Sequence, residues 1–142
     1  MSQGYRKFED PDLPALIPLM AQLGYVHTAE SLLKNVCCVR QAGGEIFVCE
    51  REGSVCACAS AILDARLAAG VSGEIVSVVV NERDRGKGIG KGLIACAERW
   101  LKKRTSIIRI RANIQRQAAP LFYNALGYSL SKTQGVFEKS VR

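Results

Sequence analysis

Residues 73–90 of this chain read GEIVSVVVNERDRGKGIG. The first half, between Ile75 and Val80, is rich in β-branched residues, which favour a buried strand. The second half contains a basic, glycine-rich turn, Arg85–Gly90, and an amphipathic helical pattern follows it. A glycine-rich turn between a strand and a helix exposes free backbone N–H groups at the positive end of the helix dipole. The segment therefore predicts a site for a phosphate or pyrophosphate group.

Spacing excludes two common phosphate-binding motifs. A P-loop requires a second glycine five residues after the first, and counted from Gly86 that position is Lys91. The dinucleotide fingerprint requires glycines at the first, third and sixth positions, and the sixth position is not glycine when counted from Gly86 or Gly88. What remains is Arg85-x-x-Gly88-x-Gly90. For this pattern alone, an ordinary basic turn before a helix stays open as the alternative.

Length and composition are those of an ordinary globular protein. The chain has 142 residues, 48% of them hydrophobic, so we expect one domain over residues 1–142. Such a domain buries roughly two-thirds of its unfolded surface. No apolar run is long enough to span a bilayer, and the N-terminus lacks the apolar core of a signal peptide. The sequence therefore predicts a cytoplasmic protein without a membrane partner.

Cysteine and histidine positions do not form a metal-binding pattern. Cys37 and Cys38 are adjacent, Cys56 and Cys58 alternate on a predicted strand, and His27 is the only histidine. None of the six cysteines has the C-x-x-C spacing of common zinc sites. The sequence thus predicts no metal, and we expect the cysteines to be small buried thiols in a reducing compartment.

The formal net charge of +7 is compatible with a nucleic acid, an anionic membrane or an anionic cofactor as partner. Basic residues concentrate between Arg83 and Arg116, around the glycine-rich turn. No aromatic-rich strand is evident for stacking bases, which disfavours binding of a single-stranded nucleic acid. The cations at 102–104 suit the C-terminal end of a helix. A basic nucleic-acid-binding module remains an alternative function.

Hydrophobic periodicity and turn signals predict an α+β chain (α/β mixed) with a mixed sheet and the element order βααβββαβαββ. Helices are predicted for residues 10–23, 28–40, from 88 onward, and 116–126. Strands are predicted for residues 5–9, 45–51, 54–63, 74–81, 107–110, 128–130 and 136–141. Residues 64–72 are predicted to form a loop.

A second motif, between Arg116 and Tyr128, reads RQAAPLFYNALGY. It follows the glycine-rich turn after one amphipathic helix and one strand. Together the two motifs resemble the GNAT acetyltransferase superfamily, which combines an Arg-x-x-Gly-x-Gly pyrophosphate loop with a later Ala, Leu/Phe-Tyr and Gly-Phe/Tyr segment. The resemblance covers nearly the whole chain. It implies a single domain with a central mixed, mostly antiparallel sheet flanked by about four helices.

The resemblance implies transfer of an acetyl group from acetyl-CoA to a primary amine of a small molecule, peptide or protein by direct attack in a ternary complex. A lysine-like amine has a pKa near ~10 in water, so a base must remove its proton. An acid helps the thiolate leave, and a backbone N–H stabilises the carbonyl oxygen. Acyl-CoA binding without catalysis stays open as an alternative. Small family members often pair through terminal strands, so a homodimer is a candidate assembly.

For the two catalytic roles, the resemblance points to Tyr123 as the acid and Glu74 as the base. Tyr123 lies off the apolar stripe of its predicted helix, and the alternative is a half-buried tyrosine with a polar hydroxyl. Glu74 begins the central strand, where alternation predicts that it shares a face with Val76, Val78 and Val80. The alternative for Glu74 is an ordinary carboxylate at a strand end.

The resemblance also implies that acetyl-CoA pairs with the backbone of the central strand, with the Val80 N–H towards the thioester oxygen. Arg116 departs from family members that have asparagine there, and Asn113 is a neighbouring candidate. The expected cofactor contacts are Val78, Val79, Val80, Arg85, Gly86, Lys87, Gly88, Ile89, Gly90, Lys91, Asn113 and Arg116.

The acceptor pocket is implied to lie between residues 23–40 and residues 64–72. Glu30, Asp64 and Glu74 are acidic residues there that would attract a cationic amine. No sequence rule identifies which amine is the acceptor.

Overall fold

The computed structural model describes residues 3–112 and 118–142. Its strands are β1 Gln3–Lys7, β2 Glu45–Arg51, β3 Ser54–Arg66, β4 Gly70–Val80 and β5 Ile108–Ile110. Its helices are α1 Leu13–Gln22, α2 Ala29–Gln41, α3 Ile89–Lys102 and α4 Ala118–Ala125, with short 3-10 turns at Asp10–Asp12 and Glu82–Asp84. The mixed fold and the four helices predicted from the sequence are confirmed.

The strands form one sheet in the order β1-β2-β3-β4-β5. The pairs β1-β2, β2-β3 and β3-β4 are antiparallel, and β5 pairs with β4 in parallel. A parallel neighbour needs a crossover connection, and α3 lies in that connection. This confirms the prediction of a mostly antiparallel sheet.

The chain divides into two compact units, Met1–Arg111 and Ala112–Arg142. The first unit holds the whole sheet and the first three helices, and the second holds α4 and the residues after it. The single domain expected over residues 1–142 stays a prediction. Within the described ranges, no helix has the length and apolar character needed to cross a bilayer.

The first unit has a hydrophobic layer on each face of its sheet. On one face, Val48 and Cys58 pack with residues of α1 and α2 such as Leu19 and Val36. On the other face, α3 covers the sheet, and the Phe47 and Trp100 rings meet edge to face with centroids 6.0 Å apart. Because side chains alternate along β2 and β3, each of them points either to the layer of α1 and α2 or to the layer of α3.

Both predicted helix starts near the N-terminus can be compared with the structure. Thr28 caps α2 as predicted, because its Oγ1 accepts from the Ser31 N–H at 3.1 Å and Ser31 Oγ accepts from the Thr28 N–H at 3.0 Å. The first helix was expected from Asp10, but a 3-10 turn occupies Asp10–Asp12 and α1 begins at Leu13. Asp12 holds that turn by accepting from the Glu9 N–H at 2.8 Å.

The loop predicted at 64–72 and the two terminal strands are wrong. Residues 64–72 are not a loop, because β3 and β4 continue as a hairpin until Arg66 pairs with Gly70. Gly70 has φ +76, which suits the tight turn. No strand forms at 128–130 or 136–141. Alternating apolar residues there do not suffice, because a strand requires a hydrogen-bonded neighbour, and Phe137 is 96% exposed.

The expectation of buried cysteines holds for only part of the set. Cys49, Cys56 and Cys58 are buried, and burial raises the pKa of the Cys58 thiol to about 12. Cys37 and Cys38 are exposed, because the face of α2 that carries Leu32 and Val36 is the one that meets the core.

Packing of α3 against β4 requires a glycine at position 73. A Cβ atom there would lie 2.7 Å from Cδ2 of Leu101, a side chain with no exposed area. We expect Gly73→Ala to lower the free energy of unfolding by about 1–3 kcal/mol, because overpacking displaces a buried side chain. Urea unfolding measures the change. Gly4→Ala is the matched control, since this strand glycine has open space around it, and equal losses in both variants would contradict the packing argument.

Candidate active site

An irregularity in β4 shapes the site. Cys58 pairs with Val79, whereas Ser60 pairs with Val76, so three steps along β4 oppose two steps along β3. Ser77, inside this interval, has φ +56, a left-handed conformation that is uncommon for a residue other than glycine. These are the properties of a β-bulge.

Because of the bulge, the side chains of β4 do not alternate between the two faces as the sequence predicts. Residues directly opposite each other across a ladder share a face. Glu74 and Val76 therefore lie on the same face as Val79, which belongs to the core under α1 and α2. Val80 lies on the α3 face instead, so the prediction that Glu74 shares a face with Val78 and Val80 is wrong. One inserted residue reverses the phase of all positions beyond it.

Beyond the bulge, one edge of β4 has no pairing strand among the described residues, and we call it the open edge. β5 pairs with β4 only from Gly73 to Ile75, and no other described strand covers that edge further along. The Asn81 N–H donates to Cys56 O at 2.7 Å and therefore points towards β3. Because backbone groups alternate in direction along a strand, the N–H and C=O of Val80 point to the open edge.

The N-terminus of α3 is the second part of the site. Gly88 is its N-cap residue, with φ +79, and no described side chain caps the helix there. The first helical hydrogen bond is from the Gly92 N–H to Gly88 O, at 3.1 Å. The N–H groups of residues 89–91 therefore have no acceptor within the helix. A Cβ atom at Gly86 or Gly88 would meet nothing within 4 Å, so a ligand has room to approach.

Arg85 connects the glycine-rich turn to the open strand edge. Its Nε donates to Val80 O at 3.0 Å, and its Nη2 lies 3.4 Å from Gln22 Oε1. The Glu82 N–H donates to the same Gln22 oxygen at 3.1 Å. Arg85 thus fixes the turn to β4 and to the end of α1, a structural role that the sequence motif does not reveal.

Asp84 holds the same turn through cations on both sides. Arg51 of β2 donates to its Oδ1 at 3.3 Å, and Lys87 Nζ lies 3.9 Å from that oxygen. Arg83 Nε lies 3.7 Å from Oδ2. Arg51 and Asp84 are both largely buried, so this pair restricts the position of the turn more than an exposed pair would.

Glu74 lies in an ion pair rather than at an exposed strand end. The residue is 6% exposed, and Arg111 Nε donates to both carboxylate oxygens, at 3.0 and 3.1 Å. Beside it, Arg109 Nη1 donates to Ser72 Oγ at 2.6 Å. The sequence reasoning did not identify Arg109 and Arg111. The signal was present, because alternation in IIRIR at 107–111 puts both arginines on one face.

Acidic and polar groups cluster on that face of the hairpin. Asp64 pairs with Ser72 across the ladder, two positions from the Ile62–Glu74 pair, so all three polar residues face the α1 and α2 layer. Asp64 accepts from Arg66 Nε at 2.8 Å. Glu30 lies in the first turn of α2. No group of three or more potential metal ligands occurs among residues 3–112 and 118–142.

Tyr123 belongs to the second unit, on α4. Its ring contacts Phe122 at 5.2 Å and Tyr128 at 6.3 Å between centroids, both edge to face. Partial burial raises the pKa of the Tyr123 phenol above its ordinary value. The predicted cofactor contacts Asn113 and Arg116 lie outside the described residues. Within the first unit, the structure brings together Val80, the turn from Arg85 and the start of α3.

Comparisons with known proteins agree with this fold. A sequence model described as an acetyltransferase (GNAT) domain matches residues 42–130. No curated protein sequence matches the chain. A glucosamine-6-phosphate N-acetyltransferase from Arabidopsis thaliana is 25% identical, with a TM-score of 0.83, and all of both chains is covered.

Two further solved structures share the fold but differ in the acceptor that they are named for. A ribosomal-protein-alanine N-acetyltransferase from Brucella melitensis is 22% identical, with a TM-score of 0.78, covering 87% of this chain and 83% of that one. An aminoglycoside antibiotic 6'-N-acetyltransferase from Acinetobacter haemolyticus is 16% identical, with a TM-score of 0.81, covering 98% and 99%. At these identities the likeness concerns the fold alone.

Proposed function

This chain belongs to the GNAT acetyltransferase family, and we propose that it transfers an acetyl group from acetyl-CoA to a primary amine by direct attack in a ternary complex. The observation that most supports this is the open edge of β4 beside the uncapped start of α3. Both present backbone donors that no described residue uses. Acetyl-CoA supplies the activated acetyl group, and its pyrophosphate carries the negative charge that such a helix start favours.

We propose that the backbone of residues 86–91 binds the pyrophosphate, with Lys87 and Lys91 adding positive charge. The edge from Val78 to Val80 would pair with the pantetheine arm, and the Val80 N–H would donate to the acetyl oxygen. Val79 stays a proposed contact on the family pattern alone, because its side chain is buried in the core and strand alternation directs its N–H and C=O towards β3. Asn113 and Arg116 remain proposed cofactor contacts, on the family pattern.

Tyr123 is the proposed general acid. As the thiolate departs, a phenol can donate its proton to the sulfur only if it is still protonated. The raised pKa of Tyr123 keeps that proton at neutral pH. We propose that residues 1–142 act as one domain.

Glu74 is the proposed base, acting directly or through water. Asp64 and Ser72 lie on the same face. Arg66, Arg109 and Arg111 bond to these two residues and to Glu74, so the face offers no net negative charge to an ammonium acceptor. We propose an acceptor amine on a small molecule, a peptide or a protein. We also propose that the enzyme is cytoplasmic, needs no metal and forms a homodimer.

The Glu74–Arg111 ion pair supports one competing function, acyl-CoA binding without catalysis. Both carboxylate oxygens of Glu74 already accept from Arg111, so a structural ion pair accounts for this side chain without a catalytic role. Release of free CoA thiol from acetyl-CoA in the presence of a panel of amines separates the two functions. Thiol release with any of the amines supports the enzyme, and its absence with all of them, in protein that binds acetyl-CoA, supports the competing function.

Acetyl-CoA binding at the start of α3 can be tested by thermal unfolding. At about 100 times its Kd, acetyl-CoA should stabilise the folded protein by about 2.7 kcal/mol, which corresponds to a rise in Tm of roughly 5–10 °C. Gly88→Asp should abolish the rise, because it places a carboxylate beside the pyrophosphate site and obstructs the backbone donors.

Gly70→Asp is the matched control for that experiment. Gly70 and Gly88 have nearly the same backbone strain, with φ +76 and +79, and both have open space around them. Gly70 lies at the far end of β4, about 30 Å from Val80. An unchanged rise in Gly88→Asp, or an equal loss in both variants, would contradict the proposed binding site.

The acid role of Tyr123 predicts a loss of turnover without a loss of binding. Tyr123→Phe should lower kcat by roughly 10²-fold, the low end for general acid catalysis, and leave the acetyl-CoA melting shift intact. Because burial raises the pKa of Tyr123 above its usual value, kcat of the unaltered enzyme should fall only above pH about 10. Tyr128→Phe is the control in the same unit, and full activity in Tyr123→Phe would exclude the role.

The base role of Glu74 predicts a pH-dependent defect. Glu74→Gln should lower kcat/KM mainly at low pH, where few acceptor amines are neutral, and activity should partly recover as the pH rises. Arg111→Gln retains the carboxylate and should not reproduce this profile. Equal, pH-independent losses in the two variants would assign Glu74 a structural role as the partner of Arg111.

A further inference from the structure

The C-terminal end of α3 forms a basic surface that the proposed active site does not use. A cavity at this end is lined by one residue of β1 and five residues at or just after the end of the helix. These residues, which together we call the Trp100 surface, are Lys7, Arg99, Trp100, Lys102, Lys103 and Arg104. The lining thus contains five cations and one tryptophan, and it contains no acidic residue.

This surface is distinct from the glycine-rich turn. The helix α3 has 14 residues, so its two ends are roughly 20 Å apart at about 1.5 Å per residue. The turn lies at the N-terminal end and has its own cations. Those cations lie beside Asp84 and beside the free backbone N–H groups at the start of α3. An anion bound at the turn therefore does not explain the Trp100 surface.

Most of the charge on the Trp100 surface is not used within the protein. Lys7 Nζ lies 3.9 Å from Glu45, and Arg104 donates to Trp100 O at 2.7 Å. The side chains of Arg99, Lys102 and Lys103 make no ion pair or hydrogen bond with any other described residue. The helix dipole favours cations on the last turn, but it does not explain why Lys7 joins them from another element.

We propose that the Trp100 surface binds the phosphate backbone of a double-stranded nucleic acid. Clustered lysine and arginine side chains neutralise phosphates, and several such contacts give binding without sequence preference. The lining offers no large apolar side chain besides Trp100, whereas protein interfaces have an apolar core.

The state of the Trp100 ring favours a duplex over a single strand. Arg104 lies over the ring, 3.7 Å from its centroid, and Phe47 contacts it edge to face. Binding of single strands depends on aromatic faces that stack with unpaired bases. Since the ring is already occupied by neighbours, the available chemistry is that of the cations, which suits paired strands.

A salt titration gives the quantitative expectation. Each neutralised phosphate of a duplex adds about −0.9 to the slope of log K against log salt. Arg99→Gln/Lys102→Gln/Lys103→Gln should therefore make the slope less steep by about 2.7. The probe is a labelled mixed-sequence DNA duplex of about 20 base pairs, followed by anisotropy and by the emission of Trp100, the only tryptophan.

The matched control is Lys34→Gln/Lys132→Gln/Lys139→Gln, which removes the same charge from exposed positions elsewhere. It should keep the slope of the unaltered protein. Equal losses in both triple variants would overturn the proposal, because net charge alone would then explain binding. Equal or tighter binding to single-stranded RNA, to polyglutamate or to phosphatidylserine vesicles would also overturn it. Both variants should retain the acetyl-CoA melting shift, so failure here is separable from failure of the proposed acetyl transfer.

Discussion

The bulge at Ser77 is the constraint on which the geometry of the first unit depends. From Gly73 to Ile75, β4 has strands on both sides, and beyond that point β3 is its only neighbour among the described strands. The extra residue directs the Val79 side chain into the core and the Val80 side chain to the α3 face. The strand thus stays anchored by its side chains while its backbone donors at Val80 become available on one edge.

Packing of α3 places a second set of donors near the end of that strand. Small residues make this close approach possible, because Gly73 leaves room for Leu101 and Gly92 leaves room for the Tyr5 ring. The intervening turn is held at two adjacent residues, where Arg85 donates to Val80 O and Asp84 accepts from Arg51. We therefore assign anion recognition mainly to the backbone N–H groups of the turn and of the start of α3. Arg85, the arginine of the motif, holds these groups in position.

Sequence patterns predicted the parts of this site that depend on local signals. The β-branched run, the glycine-rich turn and the apolar face of α3 were sufficient to predict a strand, a turn and a helix start. The bulge was not predictable, because nothing in Ser77 signals φ +56. The long β3–β4 hairpin was missed because its distal part, DARLAAGVS at 64–72, is rich in alanine and has a single β-branched residue. Arg111 was missed because its ion pair with Glu74 depends on the parallel placement of β5. The strands predicted at 128–130 and 136–141 were wrong because an alternating pattern does not by itself provide a neighbouring strand to pair with.

Amide hydrogen exchange, with and without acetyl-CoA, tests the central claim most directly, because that claim concerns particular backbone donors. If the open edge of β4 and the start of α3 bind acetyl-CoA, exchange should slow at the N–H of Val80 and of residues 89–91. The Asn81 N–H, already bonded to Cys56 O, should change little. Unchanged exchange at Val80 and at residues 89–91, in protein saturated with acetyl-CoA, would contradict the account.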